Sequence, residues 1–427
     1  MRDSERVVIT GVGAVTALGH SAQETFTALC EGKNGIKKIP ALEEAGFPVC
    51  IGGAVPNLEA LYELYPEAQK YGSRKLAYAL KAADEALEMA NMSSLGQFEC
   101  GVYMGVETSR VPFPITYQFY HLSGRQESKV DYHKFGDLCR ELYPRQMNHN
   151  KLPAFLPRFI ANRYKASGPI MATSNACASA NYAVGEAIRK LRSGRIKVAL
   201  TGSADEMLDE YMIIGFSRLK ALSFNNAEPD NALKPFDIRR DGFVLGEGGA
   251  ILVLETLEHA KERKAEILCE LGGFGATSDG EKITACHKQG AWLVEAMKRA
   301  IEDGQIDLDD LRYVNAHGTS TRLNDLSESR AVTHLFGDKA KEVLVNSTKS
   351  MVGHTVAAAG AIEAVVTAMS LANGIFHPTR NFEVPDDGCE LNYCQGKAVK
   401  RQVEAAISNS CGFSGCNSCL TFKRYHE

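Results

Sequence analysis

The chain has 427 residues, 44% of them hydrophobic and 23% charged, with 48 basic against 52 acidic side chains and a net charge of −4. This is the composition of an ordinary globular protein, and it supplies no global basic field for nucleic acid. The length is too great for one simple core and suits two similar halves of roughly 200 residues each.

The N-terminal run Met1-Arg2-Asp3-Ser4-Glu5-Arg6 is charged and lacks the apolar stretch and cleavage site of a signal peptide. No segment approaches the ~18–20 uninterrupted apolar residues of a membrane span. A cytoplasmic location is expected, with most of the 12 cysteines free and used as small hydrophobes. Strand-like runs then alternate with amphipathic stretches along the chain, which argues for an α/β layered architecture. The first strand is Val7-Val8-Ile9-Thr10. Gly11-Val12-Gly13 and Gly19 look like part of a dinucleotide loop, but the glycine spacing and the partner acid are missing.

Residues 112–150 break the alternation. Phe113, Tyr117, Phe119, Tyr120, Tyr132, Phe135 and Tyr143 stand there in a polar setting. This reads as an insertion with some helix, either a surface or oligomer-contact excursion or a wall of a substrate pocket. The next strand, from Gly168, ends at Ser174-Asn175-Ala176, and Cys177 opens a helix rich in small residues. Helix dipole and free amides at such a position favour thiolate and can hold an oxyanion. Alone, Cys177 reads more readily as a buried structural cysteine.

Val343–Ser347 followed by Ala357–Val366 repeats the strand, small polar turn and small-residue helix in the second half. The repeat suggests duplication of an α/β unit. His317, in Val314–Thr321, and His354, in Asn346–His354, each follow an apolar run and stand among glycine and hydroxyl residues. There a strand ends and a backbone must approach a ligand. A lone histidine is most often a hydrogen-bonded core residue; two in turns of one type weaken that reading. Cys411, Cys416 and Cys419 fall in a glycine turn and the final strand without a second ligand pair, so no metal is expected.

In this order, Val7–Gly13, Ser174–Ser179, Gly215–Ser223, Lys234–Gly248, Asn315–Thr321, Ser347–His354 and Asn409–Asn417 resemble the β-ketoacyl-acyl carrier protein synthases of the elongating type II kind, in the thiolase superfamily. The resemblance covers nearly the whole chain outside 112–150. It implies a thiolase-like duplicated αβαβα layered fold, with residues 1–256 carrying the nucleophile and 257–427 carrying both histidines. It makes Cys177 the acyl-accepting nucleophile. His317 and His354 become the donors that polarise a malonyl thioester as carbon dioxide leaves.

By the same resemblance, Lys349 and Glu363 organise the site electrostatically, and Asp325 matches an acid after the Gly-Thr-Ser-Thr turn. For these three a structural ion-pair network is the competing reading. Phe413, beside Gly412, matches a gating phenylalanine whose N–H joins that of Cys177 in an oxyanion hole. Phe216, Thr319 and Thr321 would contact substrate. Acyl- and malonyl-loaded acyl carrier protein, an acidic partner, would be received by Lys220 and by a second patch of Lys70, Arg74 and Lys75. A homodimer and no cofactor are implied.

The chain departs from the family in the length of 112–150, in Cys411 where an aromatic is common, and in Cys416 where threonine is common. The stretch 278–290 also lacks prolines often seen there. These departures leave the acyl preference open and allow a specialised lipid or polyketide pathway. Two other classes compete: a non-catalytic chain-length partner, against which Cys177 and both histidines argue, and a thiolase acting on coenzyme A thioesters with a second catalytic cysteine.

Overall fold

A computed structural model describes the chain except residues 1, 4, 93, 98, 125–128, 144, 282–285 and 427 and the side chains of 145–147 and 414. Parts of the 112–150 and 278–290 stretches therefore lie outside the described residues. Ten strands form the main sheet: β1 Val7–Val15, β2 Cys100–Gly105, β3 Ile170–Thr173, β4 Val198–Glu206, β5 Glu247–Thr256, β6 Cys269–Ser278, β7 Leu311–Asn315, β8 Leu344–Asn346, β9 Ala405–Gly412 and β10 Cys416–Lys423.

Their order is β8-β7-β9-β10-β6-β1-β5-β4-β2-β3. Each half thus places its third, second, fourth, fifth and first strands side by side. Orientation repeats as well. The β2–β3 and β2–β4 pairs are parallel and β4–β5 and β5–β1 antiparallel. In the second half β7–β8 and β7–β9 are parallel, and β9–β10 and β10–β6 antiparallel. Among the described residues, only Val8↔Glu270 and Ile9↔Cys269 join the halves in the sheet. The shared order and direction are those of a duplicated unit.

The helices that matter here are α1 Arg74–Met89, α2 Phe113–Leu122, α3 Tyr132–Leu142, α4 Ser179–Arg192, α5 Glu210–Arg218, α6 Ala291–Gly304, α7 Arg322–Phe336 and α8 Ala359–Asn373. Helices α4 and α8 touch strands of both halves and each other, while α1 covers β1 and β5 from outside and α6 covers β6 and β10. The layers therefore run helix, sheet, helix, sheet, helix. Strands covered on both faces have no polar side to show, and β1 and β5 are buried at every position.

Gly11 and Gly13 belong to this packing and to no ligand loop: a Cβ at either would stand 2.0 Å from the carbonyl oxygen of Ala86 or Ala82. They let α1 lie directly on β1. Val356–Asn373 is long and apolar enough to cross a membrane, which the sequence reading had not noted. It is 89% buried within the molecule, as a central helix between two sheets should be. The two described α-helices of the 112–150 stretch bury little. Phe119 and Tyr120 of α2 pack on Phe135 of α3, α3 buries no residue, and Tyr132 remains 77% exposed.

Candidate active site

Cys177 stands just before α4 in a turn held by its own hydrogen bonds. The Asn175 N–H donates to Ser179 Oγ at 2.8 Å, and Ser179 Oγ–H donates to the Ala176 carbonyl at 2.6 Å. Ala176 has φ +48°, a left-handed conformation that costs a non-glycine residue roughly 1–2 kcal/mol. The turn places Cys177, itself buried, at the floor of a cavity of about 240 Å³. Exposed Leu219 and Lys220 line its mouth, with Thr319, Thr321, Cys411 and Phe413 along the walls.

His317 and His354 close on the sulfur. Cys177 Sγ lies 3.0 Å from His354 Nε2, and the two imidazoles meet edge to face with centroids 5.3 Å apart. Burial first, and Lys349 next, lower both histidines well below the usual value, so both rings are neutral. Their tautomers follow from the partners at Nδ1. Lys349 Nζ stands 3.1 Å from His317 Nδ1 and donates to it; the Val356 N–H donates to His354 Nδ1 at 3.3 Å. Each ring therefore carries its proton on Nε2 and presents it to the cavity.

Lys349 also pairs with Glu363 of α8, and both are buried. Burial raises the Glu363 carboxyl to about 7 against the pull of Lys349. Glu328 of α7 was missed from sequence. It accepts the backbone N–H groups of His317 at 2.8 Å and Gly318 at 2.9 Å, and Asn409 Nδ2–H at 3.2 Å. The one available signal was an acid three residues beyond Asp325 on the same helix. Asp325 itself is buried but serves elsewhere, accepting the Phe236 N–H at 2.8 Å and lying 3.6 Å from Arg240. It anchors the 234–240 loop, which favours the structural reading of that residue.

Burial pushes Cys177 up to about 12; Lys349 and the backbone N–H groups of Phe413 and Cys177 pull the other way and only partly compensate. Desolvation at the cavity floor is thus the largest influence on the thiol. The two N–H groups nevertheless converge on the sulfur, where an oxyanion would form. Gly412 permits this approach, since a Cβ there would stand 2.9 Å from the Asn175 carbonyl. Phe413 stacks on Phe216 at 5.6 Å, and Phe216 meets Phe243 at 5.2 Å.

Among the proposed docking residues, Lys220 and Lys70 are exposed. Arg74 and Lys75 are corrected. Arg74 is held by Glu247 at 3.0 Å and the Leu208 carbonyl at 3.1 Å. Lys75 is buried and donates to the Glu107 carbonyl at 2.5 Å. The Lys75 ammonium is not offered to a partner, whereas the Arg74 side chain is 32% exposed and already paired with Glu247.

Cys177, His317 and His354 bring three ligand-type atoms within 4.8 Å of one another. Their second contacts do not suit a metal. A ligating imidazole normally donates its other N–H to an acceptor, whereas both Nδ1 atoms here already accept from N–H donors.

A thiol, two neutral imidazole donors and a pair of backbone amides at one cavity floor define a site for thioester acyl transfer and enolate stabilisation. The chain belongs to the beta-ketoacyl synthase family: residues 4–260 match the model of its N-terminal domain and 268–383 that of its C-terminal domain. It is an acyl-transferring condensing enzyme. The 3-oxoacyl-[acyl-carrier-protein] synthase 2 of Synechocystis sp. is 35% identical, with 99% of each chain covered. A β-ketoacyl synthase structure from Burkholderia phymatum matches with TM-score 0.87 and 33% identity over 99% of this chain and 100% of that one. A type II polyketide ketosynthase bound to the hexaketide, solved in complex with its acyl-carrier protein, matches with TM-score 0.87 and 30% identity over 99% of both chains.

Proposed function

We propose that the protein catalyses decarboxylative Claisen condensation of an acyl-Cys177 thioester with malonyl-acyl carrier protein, in fatty acid or related specialised lipid or polyketide synthesis. The observation that carries this is the pair of Nδ1 contacts, which makes two Nε2–H donors of groups that elsewhere serve as bases. Cys177 attacks the incoming acyl thioester, the amides of Cys177 and Phe413 hold the oxyanion, and the carrier leaves as its thiol with the Cys177 proton. Malonyl thioester then enters with its carbonyl oxygen on both Nε2–H groups. Loss of carbon dioxide leaves an enolate held by those donors. Its α-carbon attacks the acyl-Cys177 carbonyl, and collapse of that adduct frees the sulfur.

Lys349 and Glu363 keep His317 in its donor tautomer, and Thr319, Thr321 and Phe216 line the substrate's path. Lys220 at the mouth meets the acidic carrier, with Lys70 as a more distant contact. We place the division of the chain at 256/257, supported by the repeated strand order, and the protein in the cytoplasm as a homodimer. The dimer is supported by an asymmetry of the duplicated unit. Edge strand β8 is buried and its Val345 N–H donates to the Asn392 carbonyl at 2.8 Å, whereas the equivalent edge β3 keeps Ile170 44% exposed. An open edge of that kind is a place for strand pairing. The non-catalytic reading is disfavoured by the complete site.

The test is intact-mass and decarboxylation analysis. Cys177→Ala should form no acyl-enzyme from acyl-acyl carrier protein while remaining folded. His354→Ala should lower malonyl decarboxylation by roughly 10²–10⁴-fold while Cys177 is still acylated. Acylation of the alanine variant, or full decarboxylation without His354, would overturn the assignment.

A further inference from the structure

The tautomer of His354 depends on one N–H, and that N–H is aimed by an unusual backbone. Val356 has φ +48°, a conformation that costs a β-branched residue about 1–3 kcal/mol and persists only where its surroundings enforce it. Its side chain is buried in the apolar cluster that includes Cys177, Phe243 and Leu245, but apolar contact does not orient a peptide plane. The following peptide is oriented by a specific bond. The Ala357 N–H donates to Asp205 Oδ2 at 3.1 Å, and the Glu206 N–H donates to Asp205 Oδ1 at 3.0 Å.

Asp205 lies next to the last residue of β4 and is 1% exposed. Among the described residues its carboxylate makes no salt bridge: the cation acting on it, Lys75, directs its ammonium to the Glu107 carbonyl. Burial pushes the Asp205 carboxyl up to about 7. An ionisable group held in the interior without a counter-ion is costly, and its two bonds both go to backbone N–H groups. One of these is local; the other crosses from the first half of the chain to the catalytic turn of the second.

We propose that Asp205 is a positioning residue for His354: by clamping the Ala357 N–H it holds Val356 left-handed, aims the Val356 N–H at His354 Nδ1, and so keeps the imidazole proton on Nε2. Without the clamp the turn relaxes, Nδ1 loses its donor, and the two tautomers of the neutral ring become comparable. This rests on the decarboxylating role given to His354 above. Acylation of Cys177 does not need that proton and is left intact.

The test compares Asp205→Ala and Asp205→Asn in the full chain, using malonyl-acyl carrier protein and imidazole-¹⁵N-labelled histidine. In Asp205→Ala, kcat for malonyl decarboxylation should fall about tenfold or more with KM changed less than about twofold, and Cys177 acylation by intact mass should match wild type. The His354 ring nitrogens should move from the Nε2–H pattern to a mixture. Asp205→Asn keeps an oxygen for the Ala357 N–H, so it should retain the wild-type tautomer and recover most of the rate. Wild-type tautomer and rate in Asp205→Ala would overturn the proposal, as would equal loss in both variants. If Asp205→Ala does not fold, Asp205→Ser, too short to reach Ala357, replaces it with the same expected outcomes. Should wild type fail to decarboxylate malonyl-acyl carrier protein, the role of His354 falls, while the tautomer measurement still decides the clamp.

Discussion

In the proposed reaction the sulfur of Cys177 acts as a nucleophile where burial disfavours its charge. Its resting thiol is pushed up to about 12, so the thiolate is a small fraction near neutral pH and grows with alkalinity. Alkylation of Cys177 by iodoacetamide, followed by peptide mass spectrometry, should therefore accelerate about tenfold per pH unit between pH 7 and 9. A plateau by pH 8 would place the thiol far lower and restore the helix-terminus expectation. The histidines, held well below the usual value by burial, are already neutral at pH 6, so no histidine-type step should appear in decarboxylation between pH 6 and 8. Cys177 and both histidines were legible in sequence because each sits in a local strand-turn pattern. Glu328 was not, because it works through backbone N–H groups of residues ten and eleven positions away, and no side-chain motif records that.

The elements deliver their groups from one kind of place. Cys177 follows β3, His317 follows β7, Lys349 and His354 follow β8, and Phe413 follows β9. Strands β7, β8 and β9 are parallel, so the turns of His317, Lys349, His354 and Phe413 gather at one end of their half, and the turn after β3 meets them from the other half, where Cys177 Sγ reaches His354 Nε2. The nucleophile turn is further located by contact between β2 and the start of α4. At Gly105 a Cβ would stand 2.5 Å from the Ala180 backbone nitrogen, and backbone cannot yield as a side-chain tip can. Gly105→Ala should destabilise the protein by about 1–3 kcal/mol, read as a lower urea midpoint, and should slow acylation of Cys177. An unchanged midpoint would mean that α4 can shift without cost. The helix opened by Cys177 was expected from sequence, but its distance from β2 was not, since glycine composition alone does not say which glycine touches which helix.

For the whole molecule, duplication builds the site and also leaves one edge open. The second half's outer strand β8 is covered by the segment at Asn392, whereas among the described residues no such segment covers the first half's β3. Beside it in sequence, α2 and α3 carry Tyr117 and Tyr132 exposed at 53% and 77%. A second copy covering β3 would bury apolar surface at about 25 cal/mol per Å² and complete a row of backbone hydrogen bonds. Light scattering of the wild type should give twice the chain mass, and Ile170→Lys, which puts a charge at the seam, should shift the population toward monomer. A monomeric wild type at micromolar concentration would exclude the homodimer.

The sequence by itself indicated the layered α/β class through local alternation, and it indicated the family and the three candidate side chains through a resemblance carried by short motifs in order. Only the tertiary structure decided the protonation and accessibility of those groups. Tautomers depend on which N–H faces Nδ1, the thiol's state on how completely water is excluded, and the availability of Arg74 on whether Glu247 lies across the fold to claim it. The Asp205 contact with Ala357 is of the same kind, spanning 152 positions of chain. These are properties of distance between remote segments, and distance between remote segments is what folding supplies.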